Sequence, residues 1–123
     1  MKKTVLILLF IFISASCSLF GRLNITGHWE GTATNSSSGT AQLHMTFVQI
    51  NNDLSGTFSS VLARNAGDLL GTISGHSIHV TLESGNHDYS ATMNGTVASG
   101  GEQMSGSGND QYGSFTFQLR KVS

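Results

Sequence analysis

The chain has 123 residues, enough for one domain of ordinary size. Charged residues make up only 11% of it, less than half the usual share, and proline is absent. Without its first sixteen residues the chain keeps four cations against seven acids, a net charge of −3. These numbers exclude a basic surface for nucleic acid or for anionic lipid, and a single cysteine excludes an internal disulfide and a zinc finger.

The N-terminus is typical of an export signal. Lys2 and Lys3 precede nine uninterrupted apolar residues, 5–13. Nine helical residues span about 14 Å, which is half the apolar thickness of a bilayer. The segment is therefore too short for a membrane span and fits the apolar part of a signal peptide.

The only cysteine follows this segment directly. The run Ser14-Ala15-Ser16-Cys17 resembles the lipobox of bacterial lipoproteins, in which the cysteine carries diacylglycerol. The resemblance implies lipidation of Cys17 and a place in the bacterial outer membrane facing the periplasm, since Ser18 stands where an inner-membrane retention signal has aspartate. Ordinary secretion with a free thiol is the alternative. The predicted segments are a signal peptide (1–16), a lipidated tether (17–24) and a β domain (25–123).

From residue 25 onward, apolar residues recur with a period of two. Runs such as 43–47, 78–82 and 115–119 alternate apolar and polar residues, as strands with one buried face do. Clusters of Gly, Asn, Asp and Ser separate the runs, and no window favours a helix. The pattern predicts eight strands, near residues 26–34, 40–50, 53–62, 68–74, 77–83, 87–97, 102–107 and 112–120.

Glycine recurs two residues after an apolar residue in six places, as in Leu54-Ser55-Gly56 and Met93-Asn94-Gly95. Residues two apart share a strand face, so these glycines belong to the inner face. Glycine inside a strand marks a bend or a close approach of backbones, which a small barrel needs in every strand and a flat sandwich does not. Short connections favour pairing between successive strands. We therefore predict an all-β, eight-stranded antiparallel up-and-down barrel, with a two-sheet sandwich as the alternative.

A family resemblance begins in the first predicted strand. Gly27-His28-Trp29 resembles the Gly-x-Trp signature of the calycins, the group of lipocalins, fatty-acid-binding proteins and avidins. The resemblance implies that Trp29 lies at the closed end of a barrel and that a basic residue of the last strand packs over its ring. Arg120 stands in that place, which predicts a cation–π contact within about 6 Å. Because Leu119 faces inward, the Arg120 side chain has to curl around the rim to reach the indole.

Twenty residues take inward positions, and nearly all of them are apolar and large. An eight-stranded barrel is just wide enough to be filled by side chains or to hold one small ligand. The many large side chains favour a filled interior, and a cavity for a small apolar molecule is the alternative. Such a cavity is expected at the open end, opposite the tryptophan. Its candidate lining residues are Leu43, Phe58, Leu82, Tyr89 and Phe115.

Catalysis, a metal site and a cofactor site find no support in the sequence. The chain has no Gly-x-Ser-x-Gly elbow and no paired acids at inward positions. A hairpin centred on Ser37 sets Glu30 opposite His44 on the outer face, where an ion pair is a simpler use than metal binding. Two non-enzymatic functions remain. The barrel binds a small apolar molecule at its open end, or it is a solid module whose loops engage other envelope proteins.

Overall fold

The computed structural model describes residues 23–37, 39–60 and 65–123. Within these residues no helix is long and apolar enough to cross a membrane. The predicted signal peptide and Cys17 lie outside them. The described chain forms eight strands, β1 (Gly27–Asn35), β2 (Gly39–Ile50), β3 (Asp53–Ser60), β4 (Asn65–Ser74), β5 (Ser77–Ser84), β6 (Ser90–Val97), β7 (Gln103–Asp110) and β8 (Gly113–Lys121).

Each strand pairs antiparallel with the next, and β8 pairs with β1 to close the barrel. This confirms the up-and-down barrel and excludes the sandwich. The first hairpin has the predicted register, with Trp29 opposite Met45 and Glu30 opposite His44. Closure leaves no unpaired sheet edge, so every strand is held on both sides.

The strand limits differ from the prediction where glycine-rich segments were interpreted as turns. β4 begins at Asn65 instead of 68, and β7 continues to Asp110 instead of ending at 107. A Cβ added to Gly67 would lie only 2.0 Å from the carbonyl oxygen of Glu83 on the neighbouring strand. Gly67 therefore allows β4 and β5 to approach closely, and it does not mark a turn.

The alternating pattern places one apolar face inside the barrel. Of the twenty predicted inward residues, nineteen are buried and Tyr89 is half-buried and packed against them. The buried ones are Ile25, Trp29, Leu43, Met45, Phe47, Leu54, Phe58, Leu69, Ile73, Ile78, Val80, Leu82, Ala91, Met93, Val97, Met104, Phe115, Phe117 and Leu119. Burial of this face is the main driving force for closing the sheet.

Residues 23–26 lie against the closed end, where β1 begins and β8 ends. Ile25 is fully buried, and its carbonyl oxygen accepts a hydrogen bond from the Trp29 indole N–H at 2.9 Å. The Gln49 side chain accepts the Ile25 backbone N–H at 2.9 Å and donates to the Leu23 carbonyl at 2.8 Å. The Phe47 ring meets the indole edge-on, with centroids 6.3 Å apart. These contacts fix the entering chain to the closed end of the barrel.

The predicted contact between Arg120 and the Trp29 ring is wrong. Arg120 is exposed on the outer face opposite Glu30, while Trp29 is fully buried inside. β1 and β8 pair without a bulge as far as Lys121, so regular alternation turns Arg120 outward. The basic residue in register with Trp29 is Lys121, which is half-buried.

Candidate functional site

The barrel interior is incompletely filled at the open end, where β1 ends and β2 begins. A cavity of about 380 Å³ lies there. The favoured prediction of a filled interior is therefore wrong for this half of the barrel, and the alternative of a cavity applies. The volume is within the range of small-molecule sites, about 300 to 1,000 Å³.

All five candidate lining residues contribute to the cavity wall. They come from four strands and one loop: Leu43 from β2, Phe58 from β3, Leu82 from β5, Phe115 from β8 and Tyr89 from the residues before β6. Barrel closure brings these distant segments together, because each presents its inward face to the same space. That they bind a ligand stays a prediction.

Two alanines explain why this end has room. Ala33 and Ala41 are direct partners on β1 and β2, and both line the cavity. Four residues nearer the closed end, the same two strands place Trp29 opposite Met45. On β1 and β2, these inward pairs are thus smaller at the open end than at the closed end. Small residues at inward register positions are the signal that could have predicted the cavity.

A hydrogen-bonded polar pair lies in the cavity wall, which also includes the polar residues Asn35, Thr40, Ser60 and Asn65. The Tyr89 hydroxyl donates to Asp110 Oδ2 at 2.8 Å, and Asp110 Oδ1 accepts the backbone N–H of Tyr112 at 2.8 Å. Asp110 was not among the predicted lining residues, because the sequence pattern placed it in a turn between two strands. β7 in fact continues to this residue, which brings the carboxylate to the cavity wall.

The loop between β5 and β6 fixes the position of Tyr89. Buried Ser84 accepts the Tyr89 backbone N–H at 3.0 Å through its hydroxyl oxygen, and its own backbone N–H donates to the Tyr89 carbonyl at 2.9 Å. The Ser84 hydroxyl donates in turn to Asn86 at 2.7 Å. The Tyr89 ring packs at a tilt against Phe58, with centroids 6.2 Å apart. Backbone and ring contacts together hold the phenol over the cavity.

Burial raises the pKa of Tyr89 well above its usual value of about 10. The hydrogen bond to Asp110 raises the pKa further, and so does the negative charge of that carboxylate. At neutral pH the phenol therefore keeps its proton and acts as the donor of the pair. The pair carries one negative charge, on Asp110.

The remaining ionisable side chains of the described residues lie mostly on the outside. On the outer face, His44 Nδ1 lies 3.8 Å from Glu30 Oε2, and these two residues face each other as predicted. His87 Nδ1 lies 3.0 Å from Glu83 Oε1. Within residues 23–37, 39–60 and 65–123, no three His, Cys, Asp or Glu side chains gather closely enough to hold a metal ion.

Comparison with known proteins identifies the fold and no family. No protein-family model and no curated protein matches the chain. A redesigned β-barrel, b11L5F_LGL, is 19% identical with a TM-score of 0.67, over 80% of this chain and 92% of that one. A redesigned β-barrel, mFAP1, bound to DFHBI, is 17% identical with a TM-score of 0.60, over 80% and 94%. A fluorescence-activating β-barrel designed de novo is 15% identical with a TM-score of 0.60, over 79% and 93%. At these identities the likeness shows the shared barrel fold alone.

The raised pKa of Tyr89 predicts a loss of stability in alkali. The unfolded chain releases the phenol proton near pH 10 while the folded chain retains it, so the free energy of unfolding falls as the pH rises above about 10. The slope cannot exceed about 1.4 kcal/mol per pH unit, because one phenol releases at most one proton. Solvent screening of the half-exposed phenol limits the total loss of stability. Denaturant unfolding at a series of pH values around and above 10 measures this dependence of the free energy of unfolding on pH. Tyr89→Phe should lose this part of the slope and Tyr112→Phe should keep it; equal slopes in both variants would contradict the assignment.

Proposed function

We propose that this chain is a non-catalytic binding protein whose open-end cavity holds one small molecule with an apolar body. The cavity of about 380 Å³, with apolar and aromatic side chains contributed by β1, β2, β3, β5, β6, β8 and the loop before β6, carries the proposal. Ligand sites are typically concave and mostly apolar, with a few polar groups that orient the ligand. Tyr89 and Asp110 are such groups. The similar barrel mFAP1 is bound to DFHBI, which supports ligand binding as a use of this fold.

The chemistry of the wall supports binding without catalysis. Asp110 is the one carboxylate among the described lining residues, and these include no histidine and no cysteine. Covalent catalysis needs a nucleophile with a base beside it, and glycoside hydrolysis needs two acids. The Tyr89 phenol is a poor nucleophile, because its raised pKa keeps it protonated. Hydrogen bonding and apolar contact are what this wall offers.

We further propose that the protein is exported, cleaved before Cys17 and held by lipid in the outer membrane of a bacterium. The lipobox-like run at 14–17 supports this proposal. The geometry of the barrel fits it, because Leu23 lies at the closed end and six residues from Cys17 reach at most about 22 Å. Anchoring through Cys17 keeps the closed end near the membrane and leaves the cavity mouth open to the aqueous periplasm.

Ligand binding is tested with the neutral apolar probe N-phenyl-1-naphthylamine, which fluoresces in an apolar environment. The soluble mature chain carrying Cys17→Ser should bind it saturably with one probe per chain. Ala41→Trp places a large ring in the cavity and should weaken binding about tenfold or more. Ala98→Trp adds the same ring at an exposed position beyond β6 and should leave the affinity unchanged.

Thermal unfolding of each variant shows whether it is folded. Ala33→Leu fills the same part of the cavity with a smaller side chain and should also weaken binding of the probe. Absence of saturable binding to the folded chain, both of this probe and of smaller phenylbutyl ligands, would overturn the binding proposal and favour the solid interaction module. If Ala41→Trp and Ala98→Trp weaken binding of the probe equally, the probe does not bind in the open-end cavity.

Lipid anchoring has its own test. In cells of a bacterium that processes lipoproteins, the unaltered chain should sediment with the outer membrane, and Cys17→Ser should move to the soluble periplasmic fraction. Ser18→Ala changes the neighbouring residue and should stay with the membrane. A Cys17→Ser chain that remains membrane-bound, or a free Cys17 thiol found by mass spectrometry of the unaltered chain, would contradict the proposal.

A further inference from the structure

We propose that the cavity selects organic cations, namely molecules with an apolar body and a positively charged amine, over neutral or anionic molecules of the same shape. This inference rests on the proposed binding function and adds the charge of the ligand. Three independent features support it: the carboxylate in the wall, the aromatic rings around it, and the distribution of charge along the barrel.

The first feature is the free acceptor capacity of Asp110. Its two described hydrogen bonds come from neutral donors, the Tyr89 hydroxyl and the Tyr112 backbone N–H. An ionised carboxylate has about four acceptor positions, so two stay available to a ligand. The close contacts between basic and acidic side chains of the described residues are His44–Glu30 and His87–Glu83, and neither involves Asp110. No charged side chain of the described residues pairs with Asp110. An ammonium group in the cavity could therefore form a charge-assisted hydrogen bond with it, which is stronger than a hydrogen bond between neutral groups.

The second feature is a set of four aromatic rings. Phe58, Tyr89, Tyr112 and Phe115 all line the cavity that contains Asp110. The faces of aromatic rings carry negative electrostatic potential and attract ammonium groups, with a gain of about 0.5 to 2 kcal/mol that depends on desolvation. The same rings give no comparable advantage to a carboxylate. Aromatic lining therefore favours the same sign of ligand charge as Asp110 does.

The third feature is the separation of charge along the barrel. Of the seven acids of the described residues, four lie toward the open end, namely Asp68, Glu83, Asp88 and Asp110, and three lie toward the closed end, namely Glu30, Asp53 and Glu102. The two cations of the described residues, Arg120 and Lys121, lie at the closed end of β8. Arg64 lies outside the described residues. A mouth with this excess of acids attracts cations from solution and repels anions, and the effect weakens as salt is added.

The test compares three ligands with one body and different end groups: 4-phenylbutylamine, 4-phenylbutanol and 4-phenylbutyrate. Their dissociation constants for the soluble mature chain are measured by calorimetry at neutral pH and low salt. The amine should bind about tenfold more tightly than the carboxylate, with the alcohol between them. Added salt should reduce the difference in affinity between the amine and the carboxylate and leave the affinity for the alcohol unchanged.

Three variants assign the preference to the carboxylate. Asp110→Asn keeps the shape and an oxygen acceptor, and should reduce the preference for the amine to about threefold or less while alcohol binding is retained. Asp53→Asn removes an exposed acid at the closed end and should leave the preference unchanged. Tyr89→Phe keeps both the carboxylate and an aromatic ring, and should also keep the preference.

The outcomes separate this inference from the function on which it rests. If N-phenyl-1-naphthylamine and all three phenylbutyl ligands fail to bind the folded chain, the proposed function itself is overturned. If the neutral probe binds and the three end groups bind with equal affinity, binding stands and selection of cations is overturned. Selection by Asp110 is likewise overturned if Asp110→Asn prefers the amine as strongly as the unaltered residue does.

Discussion

The fixed width of an eight-stranded barrel is the constraint on which the cavity depends. Strand number sets the diameter, so the interior volume is given and side-chain size decides how much of it stays empty. On β1 and β2 the opposed pair Trp29 and Met45 fills the closed end, while Ala33 and Ala41 leave space at the open end. A binding site can therefore arise from a size gradient along two strands, with no change in fold.

The two ends of the barrel differ in what holds them. At the closed end, Trp29 and Gln49 hydrogen-bond the entering chain, and the large side chains of Trp29 and Phe47 are fully buried. At the open end, the Tyr89–Asp110 pair is held by a loop and by a two-residue turn, beside the cavity. A rigid scaffold that carries polar groups on its connecting segments is a common way of building a site.

The sequence predicted the barrel, its strand order and the first hairpin register, because one buried face imposes a period of two on every strand. It did not predict the strand position of Asp110, since Gly108-Asn109-Asp110 has the composition of a turn as well as that of a tightly packed strand. In the structure Gly108 admits the Phe115 ring, which would lie 2.5 Å from an added Cβ. Arg120 was misplaced because its side chain starts from the outer face and would have had to curl around the rim to reach the indole. A filled interior was favoured over the cavity because empty volume depends on many side chains together, two alanines among them.

The amide chemical shifts of the soluble mature chain, followed by NMR during titration with 4-phenylbutylamine, test most directly whether the open-end cavity is the binding site. The account predicts saturating shift changes at Leu43, Tyr89 and Asp110, and unchanged signals at Trp29 and Gln49 in the closed end. Changes confined to the outer surface, for example around Leu70 with its 64% exposed side chain, would contradict it.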